Sequence, residues 1–159
     1  MLRFRKTTIE DIDNIRKLEE SYNDFVSQWS PEQHISALSS EDQAHLIFFD
    51  TNNDFVGYTI LQGLTNSNHS IELMRIAIAI RNKGYGKMAI KLLQEWCFEE
   101  LKAHRLWLDV REHNLNAQHV YKSMGFKHEG ILRDAAFYND KYESLIVMSM
   151  LEQEYLDLK

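Results

Sequence analysis

The segment RIAIAIRNKGYGKMAIKLLQEW, Arg75 to Trp96, holds the first residues whose types and spacing could do chemistry. An apolar run gives way to Arg81, Asn82 and Lys83, then to Gly84 and Gly86, with Lys87 behind them, where a helical pattern begins. A helix start presents backbone N–H groups that lack intrahelical acceptors, together with the positive end of the helix dipole. Glycines let a ligand come close to that backbone, and the flanking cations favour negative charge. The combination describes an anion site, with phosphate the first candidate. A tight strand-to-helix turn whose glycines serve geometry alone is the plainer alternative. Arg81, Lys83 and Lys87 weigh against it.

Two nucleotide readings can be tested on the residues. GYGKMA matches Gly-x-Gly-x-x-Ala, and Asp109 falls near the end of the following strand, where a ribose-binding acid belongs. In that fingerprint, however, the first glycine follows closely on the strand, whereas here Arg81, Asn82 and Lys83 intervene. The about 50 residues after the unit cannot supply the rest of a doubly wound sheet. A mononucleotide loop fails more simply, since no Gly-x-x-x-x-Gly-Lys-Ser/Thr is present.

Other reactive side chains point to little. The single cysteine, Cys97, excludes an internal disulfide and sits among apolar residues of a helix, where it packs. His113 and His119 are six positions apart and share no helix face, so no metal site is expected. The seven histidines read as mostly surface residues.

The elements that must position the glycine loop follow from periodicity. MLRFRK alternates as a short strand. Thr7 and Glu10 form a capping box for a first helix marked by Ile12, Ile15, Leu18 and Tyr22 and running to about Phe25. Ser30 caps and Pro31 opens a second helix. AHLIFFD and FVGYTILQGL, joined by TNND, read as a hairpin. IELMRIAIAI is nearly all apolar and reads as a central strand buried on both faces. Met88, Leu92, Trp96 and Leu101 mark a long amphipathic helix, and RLWLDV is the next strand; strand–helix–strand implies a parallel pair. Asn114 opens a short helix with an apolar face of Ala117, Val120, Tyr121 and Met124, ended by Gly125. FKHEGIL and YESLIVMSML are two final strands around a turn near YNDK.

The 159 residues suit one domain, 1–159, with a real core. A net charge of −6 argues against a broad nucleic-acid-binding face and leans weakly toward a cationic substrate. No secretory signal or bilayer-length apolar run is seen, so the expected location is cytoplasmic, with no membrane partner.

RNKGYG resembles the Arg/Gln-x-x-Gly-x-Gly/Ala segment of the GNAT acetyltransferase superfamily, which there cradles the coenzyme A pyrophosphate. VREHNLNAQHVYKSMGF is similar to that family's Asn-x-x-Ala-x-x-x-Tyr-x-x-x-Gly-Phe segment through Asn114, Ala117, Tyr121, Gly125 and Phe126. GFKHEGILRDAAFYNDKYESLIVMSML resembles the last strands of the ribosomal-protein N-terminal and polyamine acetyltransferase branch, with its Glu-Gly-x-x-Arg matched by Glu129, Gly130 and Arg133. One departure is Ser144, where the branch commonly has an acid. The resemblance implies an α/β (α+β) single domain. Its mixed, mostly antiparallel sheet has a central splayed parallel pair, and helices flank both faces. Acetyl-CoA would be the cosubstrate.

It also implies roles. Backbone groups near Ile76 and Ile78 would meet the pantetheine arm, and amides from Asn82 to Lys87 the pyrophosphate, with Arg81 beside them. Asn114 would contact coenzyme A or cap its helix. An alkyl ammonium with a pKa of about 10.4 is almost wholly protonated at pH 7, a barrier of roughly 4 kcal/mol that a base can relieve. Glu72, at the start of its strand, is the candidate base, with a water relay as the alternative. Tyr121 would protonate, or hydrogen-bond, the leaving thiolate. Tyr22, Phe25 and Trp29 fall where the fold builds its acceptor pocket.

The expected activity is therefore acetyl transfer from acetyl-CoA to a primary amine: a protein N-terminus, a polyamine or another small amine. The amine attacks directly in a ternary complex. A homodimer is one assembly open to such a domain. A non-catalytic acetyl-CoA-binding sensor is the alternative from another class; the presence of Tyr121 and Glu72 argues against it.

Overall fold

The computed structural model describes residues 1–22 and 28–159. Its strands are β1 (Arg3–Lys6), β2 (Gln43–Phe49), β3 (Phe55–Gln62), β4 (Ser70–Ile78), β5 (Arg105–Arg111), β6 (Lys127–Tyr138) and β7 (Lys141–Leu151). They form one sheet in the order β1-β2-β3-β4-β5-β7-β6, in which β4 and β5 are the parallel pair. The described helices are α1 (Ile12–Ser21), α2 (Pro31–Leu38), α3 (Tyr85–Glu95), α4 (Leu115–Ser123) and α5 (Glu152–Asp157). The larger core joins Ala89, Ile90 and Leu93 of α3 to one face of the sheet through Leu46, Phe48, Leu106 and Leu108. On the other face Ile15 and Leu18 of α1 pack on Ile47, Tyr58 and Ile60.

The decisive feature is a fork. β4 pairs with β5 over three rungs only, Ser70↔Arg105, Ile71↔Leu106 and Glu72↔Trp107. Beyond them β4 stays on β3 as far as Ile78↔Gly57, and β5 stays on β7 as far as Arg111↔Leu145. Each strand is held by its outer neighbour while the inner edges part. A bulge at Met74, between the Leu61↔Leu73 and Ile60↔Arg75 pairs, bends β4 near the point of parting.

Several expectations need correcting. β4 is central but alternates between buried and half-buried residues, because the fork opens beside it; β2 and β3 are the strands buried on both faces. The capping box before α1 is formed not by Thr7 and Glu10 but by Thr8 and Asp11, whose carboxylate accepts the Thr8 N–H at 2.8 Å. A 3₁₀ turn at Ile9–Asp11 intervenes, so α1 starts a turn later, and it ends at Ser21. Phe25 lies outside the described residues. Met88 is 40% exposed; the buried stripe of α3 is Ala89, Ile90, Leu93 and Gln94, and a π turn at Trp96–Glu100 follows. The second helix is as expected: Ser30 accepts the Gln33 N–H at 3.2 Å, Gln33 returns a bond to the Ser30 N–H at 2.8 Å, and Pro31 is the first helical residue.

Candidate active site

The fork opens into a cleft of about 880 Å³ that reaches from the start of α3 to the side of α4. At one end, the backbone before α3 turns through two left-handed residues, Asn82 (φ 62°) and Gly84 (φ 74°). Gly84 occupies the N-cap position and offers no side-chain cap, so the amides of the first turn have none to satisfy them. A Cβ built on Gly84 or Gly86 would meet no atom within 4 Å. Neither glycine is therefore required for packing. Gly84 is required by its positive φ, and Gly86 leaves the backbone open. Arg81 and Lys87 line this end, and the Arg81 guanidinium lies over the Tyr22 ring at 5.0 Å. Lys83 is exposed and stands outside the lining.

The middle of the cleft is walled by β4. Ile76 and Ile78 both line it. The Ile78 carbonyl is already engaged, accepting from the Tyr22 hydroxyl at 2.6 Å. An incoming extended chain thus finds the backbone edge of β4 open elsewhere in the fork, in the manner of an exposed sheet edge.

At the far end stand Tyr121, Asn114 and Asp109. The Asn114 side chain accepts the Ala117 N–H at 3.2 Å and so caps α4 while lining the cleft. Tyr121 packs edge-on against Phe126, with ring centroids 5.9 Å apart, and its hydroxyl has no hydrogen-bond partner among the described residues. Crowding by protein atoms, with smaller contributions from Tyr22 and Asp109, pushes this phenol above its usual range. It therefore holds its proton firmly, and donates a hydrogen bond more readily than it gives the proton up.

Glu72 lies at the closed end of the fork. It sits on the last closed rung, opposite Trp107, and is not part of the cleft lining. Its carboxylate accepts the Gln62 side-chain N–H at 2.7 Å. Partial burial, with the nearby Asp109 adding, lifts its pKa against the effect of that bond. Asp109, two positions past the rung on β5, does line the cleft. Its surface is open to the cavity, yet surrounding atoms strip enough water from it to raise its pKa.

Behind β4 lies a group of residues that periodicity alone did not bring together. His34 and His45 are 0% and 4% exposed, the two exceptions among histidines that otherwise lie at the surface as expected. The Thr7 hydroxyl meets His45 Nδ1 at 2.8 Å, His45 Nε2 meets His34 Nδ1 at 2.9 Å, and His34 Nε2 meets Glu19 Oε1 at 2.9 Å. With both rings neutral, every contact has one donor and one acceptor. Burial, with the charge of Arg75 adding, pushes His45 down to about 4, consistent with a neutral His45 ring. Glu19 also accepts from Tyr58 at 2.5 Å and from Arg75 at 2.8 Å. Arg75 stacks on Trp29 at 4.7 Å and lines the cleft. Cys97 is fully buried and pushed up to about 12, an inert packed thiol as its helical position implies.

The sequence that builds this splayed pair and helix start matches the model of the acetyltransferase (GNAT) family over residues 10–126. The chain belongs to that family. It is an N-acetyltransferase by its relatives. A Bacillus subtilis (strain 168) protein with a provisional name as a ribosomal protein bS18 alanine N-acetyltransferase is 29% identical over 146 residues, 91% of each chain. Spermidine N(1)-acetyltransferase of Vibrio cholerae (serotype O1) is 26% identical over 149 residues, 93% of this chain and 79% of that one. Among solved structures, a point mutant of Vibrio cholerae spermidine N-acetyltransferase SpeG superposes with a TM-score of 0.88 at 25% identity, covering 98% of each chain. This GNAT chain has no helix among its described residues long and apolar enough to cross a membrane.

Proposed function

We propose that residues 1–159 act as one acetyltransferase domain that holds acetyl-CoA in the β4–β5 cleft and acetylates a primary amine. The observation that carries this reading is the cleft itself: it connects an uncapped helix start, flanked by Arg81 and Lys87, to the hydroxyl of Tyr121, which no described residue bonds. The residues fit the cosubstrate. The amides at Gly84–Lys87 can take a diphosphate, the open edge of β4 near Ile76 can take an amide-bearing arm, and Tyr121 lies where a sulfur would end. Acetyl-CoA supplies the acyl group and a thiolate leaving group.

The chain's own part is threefold. The β4 backbone orients the thioester, and an N–H of that edge polarises its carbonyl. The phenol of Tyr121 stabilises the departing sulfur by hydrogen bonding. The fork leaves a passage from the α1 side of the sheet by which the amine arrives in line. The relatives' acceptors, spermidine and a ribosomal-protein alanine, both present a primary amine. Calorimetry with acetyl-CoA, followed by thiol release with spermidine and an alanine-terminated peptide, tests the reading. Micromolar binding and release with at least one acceptor are expected. Binding without release from any amine would favour the sensor alternative.

A further inference from the structure

On top of the acetyltransferase reading, we propose that Arg75 selects the acceptor: its guanidinium, set in the α1-side wall of the cleft, receives an oxygen carried one carbon beyond the amine-bearing carbon. Such an oxygen belongs to the first carbonyl of a peptide or to the carboxylate of a free amino acid. A polyamine carries none.

The bulge in β4 puts Arg75 there. Before it, Ile71 and Leu73 turn to the α3 core. Strict alternation would send residue 75 to the same side. The extra residue, Met74, reverses the phase. Past it, Ile76 and Ile78 pack on the α3 core, Ala77 joins the core under α1, and Arg75 lies opposite Ile60 of that second core. Arg75 therefore projects toward α1, where it reaches Glu19. It adjoins Ile76, whose stretch of open edge would hold the thioester, and it faces the side from which the amine arrives.

Its partners fix it in place. The Arg75 side chain is 11% exposed. Glu19 accepts from one of its nitrogens at 2.8 Å, and the guanidinium lies over the Trp29 ring at 4.7 Å. Glu19 is itself held by His34 and Tyr58. A cation ordered before the acceptor arrives costs no further entropy when it binds.

Charge on the cleft lining also runs opposite to that of the whole chain. The described lining residues include the cations Arg75, Arg81, Lys87 and Arg111 against one acid, Asp109, although the chain's net charge is −6. Arg81 and Lys87 stand at the diphosphate end. Arg111 is stacked on Tyr138 and paired with Glu143 at 3.7 Å. Arg75 is the cation beside the acceptor's path. Because Glu19 balances its charge, selection rests on hydrogen-bond type more than on net charge, and a neutral carbonyl is enough. A guanidinium donates and never accepts. An acceptor oxygen completes a bond with it, whereas a protonated polyamine nitrogen in the same place sets donor against donor. One matched contact and one clash together make a specificity device.

The test uses the full chain and three amines of one shape. Isopropylamine, alaninamide and alanine carry a methyl, a carboxamide and a carboxylate in the same place. Taking kcat/KM per neutral amine removes their difference in basicity. Wild type is expected to favour alaninamide or alanine over isopropylamine by about 30-fold or more. A lead for alaninamide marks a peptide N-terminus as the acceptor class, and a lead for alanine a free amino acid. Arg75→Met should cut the preference at least about tenfold. Arg75→Lys keeps a cation beside Glu19 and so guards against a variant that fails to fold; without the planar fork it should still lose about fivefold. Acetyl-CoA affinity should hold in both, because Arg75 faces away from the α3 side. Calorimetry on wild type with coenzyme A bound reads the same preference without turnover, so a protein that shows it but acetylates no amine defeats the acetyltransferase reading alone. A wild type that treats the three amines alike, or a preference that survives in Arg75→Met or Arg75→Lys, would overturn the proposal.

Discussion

Glu19, on α1, is 1% exposed and accepts hydrogen bonds from Trp29, His34, Tyr58 and Arg75, while Asp109, on β5, opens into the cleft and accepts none from the described residues. Burial would raise the pKa of either. At Glu19 the bonds from His34 and Tyr58 and the charge of Arg75 outweigh it, and the pKa falls; at Asp109 nothing opposes it, and the pKa rises. The same chemical group is a structural anchor where the protein supplies its partners, and is left without such anchoring where it faces the cleft. The pairing of Arg75 with Glu19 also links the two regions, because Arg75 reaches from the anchored cluster to the cleft wall.

The largest effect expected is on the anchored side. Glu19→Leu leaves His34, Tyr58 and Arg75 without their shared acceptor, and should destabilise the fold by about 3–5 kcal/mol in denaturant titration. Asp109→Asn should do the opposite. Its raised pKa means that burial of the ionised form works against folding once pH exceeds the folded value, so removing the charge should raise the melting temperature at neutral pH. A loss of stability in Asp109→Asn comparable to that in Glu19→Leu would erase the distinction between the two carboxylates.

The next effect separates them by pH. His45 is depressed from 6.5 to about 4. Between those values the unfolded chain binds a proton that the folded one refuses, so stability is complete above pH 6.5 and declines as pH falls toward 4, by about 3 kcal/mol. Glu19, also depressed, contributes only at lower pH, as the medium crosses from its unfolded to its folded value. Measured unfolding free energies in wild type and His45→Gln should therefore diverge in slope across this window. An unchanged slope would mean that His45 is not neutral in the fold.

On the cleft side, Tyr121→Phe removes a hydroxyl that has no hydrogen-bond partner among the described residues and keeps the ring on Phe126. Stability and acetyl-CoA affinity should barely move, while kcat falls about 100-fold. Wild-type turnover would show that the sulfur leaves without help from this phenol.

How much of this was legible beforehand differs between the two regions for a physical reason. The glycine loop, the cap at Asn114 and the tyrosine face of α4 are local: each lies within one element and its boundary, and periodicity and capping residues report it. The Glu19 cluster draws on Thr7, Glu19, His34, His45, Tyr58 and Arg75, which six different segments bring together, so no local pattern announces it. That Asp109 lines the cleft while Glu72 does not was hidden for a related reason. Both are acids in apolar strands, and only the register, with three closed rungs before the fork, reveals which of them reaches the cleft. The signal available was the acid in RLWLDV on the face away from Leu106 and Leu108, but a strand read alone does not say where its neighbour departs.

The smallest effect bears on the loop itself. Gly86 lies in the first turn of α3 without a positive φ, and a Cβ there meets nothing within 4 Å. Gly86→Ala should therefore stabilise the protein without cosubstrate by about 0.5–1 kcal/mol, the ordinary gain of alanine over glycine in a helix. Gly84→Ala should cost about 1 kcal/mol or more, because its φ of 74° is left-handed. If the amides of this turn hold a diphosphate, Gly86→Ala must nonetheless weaken acetyl-CoA binding, since the methyl group stands in the approach to the backbone. A variant that melts higher and binds acetyl-CoA less well is the outcome that separates a glycine kept for a ligand from a glycine kept for a turn. A higher melting temperature with unaltered affinity would leave Gly86 without a role in binding and move the diphosphate elsewhere.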